Sequence, residues 1–251
     1  MVIDRPAPGA ERQLLPLWKE IFGDYDGFWE LFLRTGYSPD RCRCITEEGI
    51  TAALCWFDCF CHRQKWAYVY AVMTNPAHRG QGLCRILMKD THEHLQKLGY
   101  AGVLLVPAEE GLRKMYRKMG YETCTCVSEF SCAAGEEAAA LRALSPEEYA
   151  GLRRQYLPEG GVMQEGENLT FLAAQAELLT GENCLLAVWR EEDTLHGMEL
   201  LGDIVSAPAI VKALGCKEGH FRTPGETKPF AMGLKLQESV IFPDYFGFAF
   251  D

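Results

Sequence analysis

The sequence predicts an α/β protein built in two halves, on three observations. Strand-period and helix-period stretches alternate between residues 40 and 135. A glycine-bearing loop, His78-Arg79-Gly80-Gln81-Gly82, joins a strand pattern directly to a helix pattern. Beyond residue 135 the order of two helices, two strands, one helix and further strands returns, as an echo of elements rather than of residues. A length of 251 residues suits one large domain or two medium ones, and 48% apolar with 24% charged residues is ordinary globular composition. Disordered, collagen-like and coiled-coil chains are thereby excluded.

In chain order, Leu14, Leu15, Leu17, Trp18 and Ile21 form the stripe of a first helix, and Phe28, Trp29, Leu31, Phe32 and Leu33 fill a second. Residues 41–47 and 51–62 alternate as strands about a turn at Gly49, with Ala53, Cys55, Phe57, Cys59 and Cys61 on one face. Residues 66–74 form a third strand, stopped by Asn75-Pro76. The glycine loop then opens a helix over 82–98, striped by Leu83, Ile86, Leu87, His94, Leu95 and Leu98 and ended by Gly99. A short buried strand at 103–106, a helix carrying Leu112, Met115, Tyr116 and Met119, and a strand over 121–132 complete the half. The small residues and glutamates of 133–140 read as a linker, giving domains at 1–135 and 136–251.

In the second half, Ser145-Pro146-Glu147-Glu148 is a helix-opening capping box. A helix is expected at 169–179, strands at 184–189 and 195–203, and a helix at 206–214. Further strands are expected at 220–223, 229–236 and 245–251. The last is docked rather than frayed, completes the second half's sheet, and carries two carboxylates at its tip.

Charge is unevenly divided. Residues 1–135 carry 16 basic and 16 acidic side chains, whereas 136–251 carry 9 and 19, so the whole net charge of −10 sits in the second half. That balance argues against nucleic-acid binding, which relies on Lys and Arg to neutralise phosphates. No apolar run reaches the length of a membrane helix, and the N-terminus lacks a signal-peptide core, so a soluble cytoplasmic protein is expected. Nine of the eleven cysteines precede residue 135, three pairs of them as Cys-x-Cys (42/44, 59/61 and 124/126), and no Cys-x-x-Cys occurs. Buried thiols are therefore expected, rather than disulfides or a metal site.

A strand, a glycine loop and a helix N-terminus in succession make an anion site, because first-turn N–H groups lack partners and the helix dipole is positive there. The stretch from Val72 to Leu83 resembles the acetyl-CoA loop of the GNAT N-acetyltransferase superfamily. Tyr116-Arg117-Lys118-Met119-Gly120-Tyr121-Glu122 resembles its second signature, a helical Tyr followed by Gly-aromatic. The resemblance covers about residues 40–130. It implies a mixed sheet flanked by helices, followed by a smaller, degenerate GNAT-like half, as in tandem members of the superfamily.

It also implies roles. Arg79, Gly80, Gln81, Gly82, Leu83 and Cys84 would cradle the CoA pyrophosphate. The main chain of Val72, Met73 and Thr74 would pair with pantetheine, one N–H facing the thioester oxygen. Tyr116 would be the general acid that protonates the departing thiolate. Acetyl-CoA is then the co-substrate, with no metal, and the partner is a small-molecule or peptide amine; the acidic second half favours a cationic one. Three positions depart from the pattern: Cys84 replaces the loop's last Gly or Ala, Glu109 stands where relatives carry an Asn, and Tyr70 takes the usual place of a glutamate base. A lysine-type amine is almost wholly protonated at neutral pH, so the proton must leave through water or a distant residue, or the amine must be less basic. Arg113, Lys114, Arg117 and Lys118 read as a solvated helix face or a phosphate clamp, and His78, His92 and His94 as neither metal ligands nor a triad. The rival readings are a non-catalytic acetyl-CoA-binding or interaction protein and a zinc-thiolate protein.

Overall fold

The computed structural model describes residues 1–23 and 27–249. The first half runs β1 (Val2–Asp4), α1 (Glu11–Phe22), α2 (Phe28–Thr35), β2 (Cys42–Thr46), β3 (Ile50–Cys61), β4 (Gln64–Thr74), α3 (Leu83–Lys97), β5 (Gly102–Leu105), α4 (Glu110–Arg117), β6 (Glu122–Thr123) and β7 (Cys126–Ala133). The second runs β8 (Arg142–Ala143), α5 (Pro146–Tyr156), α6 (Glu167–Ala173), β9 (Glu177–Thr180), β10 (Cys184–Glu191), β11 (Thr194–Gly202), α7 (Ala207–Ala213), β12 (Glu218–Pro224), β13 (Lys228–Pro229) and β14 (Met232–Lys235).

These strands form two mixed seven-stranded sheets, in the orders β1-β2-β3-β4-β5-β14-β6 and β13-β7-β12-β11-β10-β9-β8. Each has one parallel step across a helix, β4 to β5 through α3 and β11 to β12 through α7. The two halves thus repeat one plan. An inner core lies between the sheets, filled by the cysteine-bearing face of β2 and β3, by α1, α2, α5 and α6, and by residues 245–249. Helices α3 and α4 cover the outside of the first sheet and α7 the outside of the second.

The alternation expected for β3 holds, with Ala53, Cys55, Phe57, Cys59 and Cys61 in the inner core, but Leu54 and Trp56 on the other face are buried too. All eleven cysteines are free thiols and none is exposed. Helix α3 ends as expected at Gly99, whose neighbour Tyr100 donates back to the Leu95 carbonyl. Its buried stripe is Leu83, Leu87, Met88, Thr91 and Leu95. Ile86 and Leu98 are exposed, because the face turned to the sheet follows the 83-87-91-95 row.

Larger corrections concern long-range pairing. The stretch 121–132, expected as one strand, is β6 in the first sheet and β7 in the second; 229–236 likewise divides into β13 and β14. One antiparallel ribbon runs through both breaks, pairing Glu122 with Gly233 at one end and Val127 with Lys228 at the other. Between them Cys124 donates to the Ala231 carbonyl and Phe230 to that of Thr125. Each sheet therefore holds a strand from across residue 135. The helix expected at 169–179 stops at Ala173, because Leu178 and Leu179 pair with β10 and override the local helix propensity. Residues 245–249 form no strand: they are buried, joined by a bridge from Tyr245 to Gly161. Phe250 and Asp251 lie outside the described residues.

Candidate active site

The glycine loop lies between the 3-10 turn Pro76–His78 and α3. Gly80 and Gly82 both have positive φ, +76° and +77°, a conformation that side-chain-bearing residues rarely adopt, and an added Cβ would meet nothing within 4 Å at either. Gly82 caps α3 with no side chain accepting from the first turn, and the first intrahelical bond is Ile86 N–H to Gly82 carbonyl, 3.1 Å. The N–H groups of Leu83, Cys84 and Arg85 thus precede the ladder and point out of the helix end. Arg79, Gly80, Gln81 and Gly82 are exposed, and the result is an open cradle of donors at the positive pole of a helix.

The strand before the loop is only half paired on this side. β4 pairs with β5 from Trp66 to Tyr68, and there the ladder ends, leaving the edge from Val69 to Thr74 open toward the loop. On its other edge β4 carries a bulge, where Ala71 and Val72 together oppose Leu54. Ala71 has φ +54°, strained for a residue with a side chain. The bulge changes the phase of the strand: Tyr68 and Tyr70 face the inner core, and so do Ala71 and Met73, whereas Val69 and Val72 face α3. No sequence signal marks it beyond the switch from alternating aromatics to small residues.

Tyr116, on α4, is 5% exposed and belongs to the same cluster as Leu83, Leu87 and Leu105, with Val72 and Cys84 packed against it. The structure thus brings Val72, Leu83, Cys84 and Tyr116 together, while Met73 lies on the opposite face and Arg79 to Gly82 on the rim. Burial raises the Tyr116 phenol well above its ordinary value, with the Cys84 thiol adding to the effect, and pushes Cys84 itself up to about 11. Both groups hold their protons at neutral pH. A thiolate nucleophile at Cys84 has no support.

Tyr70, in the place of the expected base, is half-buried among Phe32, Phe57, Phe171 and Trp18, with ring centroids 5.6, 5.8, 5.8 and 6.3 Å away. Phe171 comes from the second half and was not legible in sequence as part of this site. Arg113 is neither solvated nor a phosphate clamp: it donates to the carbonyls of Pro229 and Phe230, tying α4 to the ribbon. Lys114, Arg117 and Lys118 are exposed. His94 is a core-edge residue against Trp56. Among the described residues no three His, Cys, Asp or Glu side chains converge as metal ligands, and no helix is long and apolar enough to cross a membrane. A cavity of about 430 Å³ adjoins the loop between Glu47, Glu48, Asn75 and His78; another, of about 470 Å³, lies on the second sheet beside Trp189 and His220.

A sequence profile of the acetyltransferase (GNAT) domain family matches residues 8–124. The whole fold is similar to a GCN5-related N-acetyltransferase of Kribbella flavida, with 16% identity and a TM-score of 0.70 over 92% of this chain and 70% of that one. It is similar also to a GCN5-related N-acetyltransferase of Anabaena variabilis, with 13% identity and a TM-score of 0.71 over 94% and 73% of the two chains. Eis1 of Mycobacterium abscessus gives 15% identity and a TM-score of 0.66 over 94% and 74%. No curated protein sequence matches the chain. Residues 8–124 thus match an acetyltransferase (GNAT) domain, and the two sheets give the chain a fold of two GNAT-like halves.

Proposed function

We propose that this protein transfers an acetyl group from acetyl-CoA to an amine by direct attack, without a covalent enzyme intermediate. The observation that carries the reading is the open edge of β4, which leads from a strained bulge to a cradle of unpaired helix N–H groups. Pantetheine, an amide chain, would complete the ladder along Val72, Met73 and Thr74. The pyrophosphate would lie on Gly80 to Cys84, with Arg79, Gln81 and Leu83 in the same turn. A bulge leaves a backbone N–H outside its ladder, and here that donor would face the thioester oxygen as charge develops on it. Tyr116 would then protonate the CoA thiolate as the C–S bond breaks.

The acceptor's own proton needs another exit, since Tyr70 cannot take it. An ammonium that comes against the rings around Tyr70 loses hydration, and desolvation favours its neutral form. The acceptor is a small-molecule or peptide amine, and the net charge of −10 in the second half favours a cationic one. Free thiols throughout fit a reducing compartment, and the cytoplasm is the proposed location. The aromatic residue in the base position also supports a second reading, an acetyl-CoA-binding protein without turnover.

Calorimetry with acetyl-CoA, followed by thiol release across small amines, polyamines and basic peptides, separates these. Binding with turnover of at least one amine is expected, and a cationic amine should show a KM that rises with salt. Binding without turnover by any of them would leave the second reading. Absence of binding would end both.

A further inference from the structure

A part-buried polar pair, His92 and Tyr121, is left unused by the reaction above. His92 lies two turns along α3 from Cys84 and is half-buried. Its Nε2 shares a 2.7 Å hydrogen bond with the hydroxyl of Tyr121. Tyr121 is 2% exposed and in turn holds Tyr116 in two ways. Its backbone N–H donates to the Tyr116 carbonyl at 3.1 Å, and its ring meets the Tyr116 ring edge-on, with centroids 5.6 Å apart and planes at 62°.

We propose that His92 is a positioning residue for acetyl transfer: by fixing the Tyr121 hydroxyl it orients the ring on which the Tyr116 phenol rests. The inference rests on the reading of Tyr116 as general acid. The cluster around Tyr116 is otherwise aliphatic and aromatic, built from Leu83, Leu87, Met88, Leu105 and Met232. Phe and Leu would fill the places of Tyr121 and His92 without burying any polar atom. A Tyr and a His that satisfy each other instead give the Tyr121 ring one preferred rotation and height, where packing alone permits several. An edge-on ring contact is directional, so that rotation passes to Tyr116. General acid catalysis is steep in geometry, since the phenol must reach the sulfur within hydrogen-bond distance. Burial pushes the His92 imidazole down to about 4, so the pair stays neutral at working pH and sets geometry without adding charge beside the acid.

The test is a mutant cycle on the full chain, read by thiol release from acetyl-CoA with the fastest amine of the panel, or by its slow hydrolysis if no amine is turned over. Acetyl-CoA affinity is measured by calorimetry alongside. His92→Leu and Tyr121→Phe should each lower kcat about tenfold while acetyl-CoA affinity stays within about twofold. His92→Gln, which keeps a hydrogen-bonding group, should recover most of the rate. In a Tyr116→Phe background, His92→Leu should have no further effect, because the group it positions is gone. Should His92→Leu fail to fold, Tyr121→Phe, which removes one oxygen, carries the same comparison. An unchanged kcat in both, with Tyr116→Phe impaired, would overturn the positioning role alone. So would an equal fall in both backgrounds, the mark of general scaffolding. An unimpaired Tyr116→Phe would remove the acid assignment and this inference together.

Discussion

Gly82 stands where chemistry and conformation meet in one residue. Its φ of +77° and the open space around it mean that Gly82→Val adds no clash; the cost comes from forcing a β-branched residue into the left-handed region. The loop is exposed, so the fold should survive while the first-turn N–H groups lose their alignment. The expected result is acetyl-CoA affinity at least ~10-fold weaker at a nearly unchanged melting temperature; equal affinity would refute the cradle. Tyr116→Phe keeps the edge-on packing against Tyr121 and removes only the hydroxyl, so kcat should fall by ~10²-fold with acetyl-CoA binding retained, measured where chemistry limits the rate. The glycine loop at Gly82 and the helix that carries Tyr116 were legible in the sequence, because each is written within a few positions of chain. Ala71 was not: nothing in the residue type announces a φ of +54°, which belongs to the bulge opposite Leu54 on another strand. Phe171 beside Tyr70 was equally hidden, 101 positions away along the chain.

At the scale of elements, local signals were read well and partner choice was not. Ser145 accepts from the Glu148 N–H at 3.2 Å, and the Glu148 carboxylate accepts from the Ser145 N–H at 2.9 Å, the reciprocal box that the Ser-Pro-Glu-Glu spelling predicts. Ser145→Ala should therefore cost about 1 kcal/mol, seen as a melting-temperature drop of roughly 2–4 °C with acetyl-CoA affinity unchanged. No drop would mean that packing of Tyr149 alone holds the first turn of α5. By contrast, the unbroken alternation of 121–132 gives no hint that Thr123 and Cys126 belong to different sheets. Periodicity reports which face is buried, and it stays in phase through the break because the ribbon pairing stays in phase. What divides the strand is a change of neighbour on its far edge. The early end of α6 has the same origin, since its helix-favouring residues 174–179 give way to pairing with β10.

For the molecule as a whole, the exchange of β7 and β14 makes a specific statement about stability. Removing the second half would take β14 from between β5 and β6 and uncover the inner core, so neither half keeps a complete sheet alone. The second lobe is anchored by a buried ion pair: Arg153 donates to both oxygens of Glu199 at 2.8 and 2.9 Å, and Tyr245 adds a 3.0 Å bond. Glu199 is 0% exposed, and Glu199→Gln would leave the Arg153 charge buried without its counter-charge, a loss of ~3–5 kcal/mol. None of these residues touches the glycine loop. If ribbon and inner core bind the lobes into one cooperative unit, calorimetry should show a single unfolding transition. Glu199→Gln should lower it, and acetyl-CoA at 100 times its Kd should stabilise that same transition by about 2.7 kcal/mol. Autonomous lobes predict otherwise: two transitions, the mutation moving one and the ligand the other. That pattern would show that the exchanged strands join the sheets geometrically without coupling their stability.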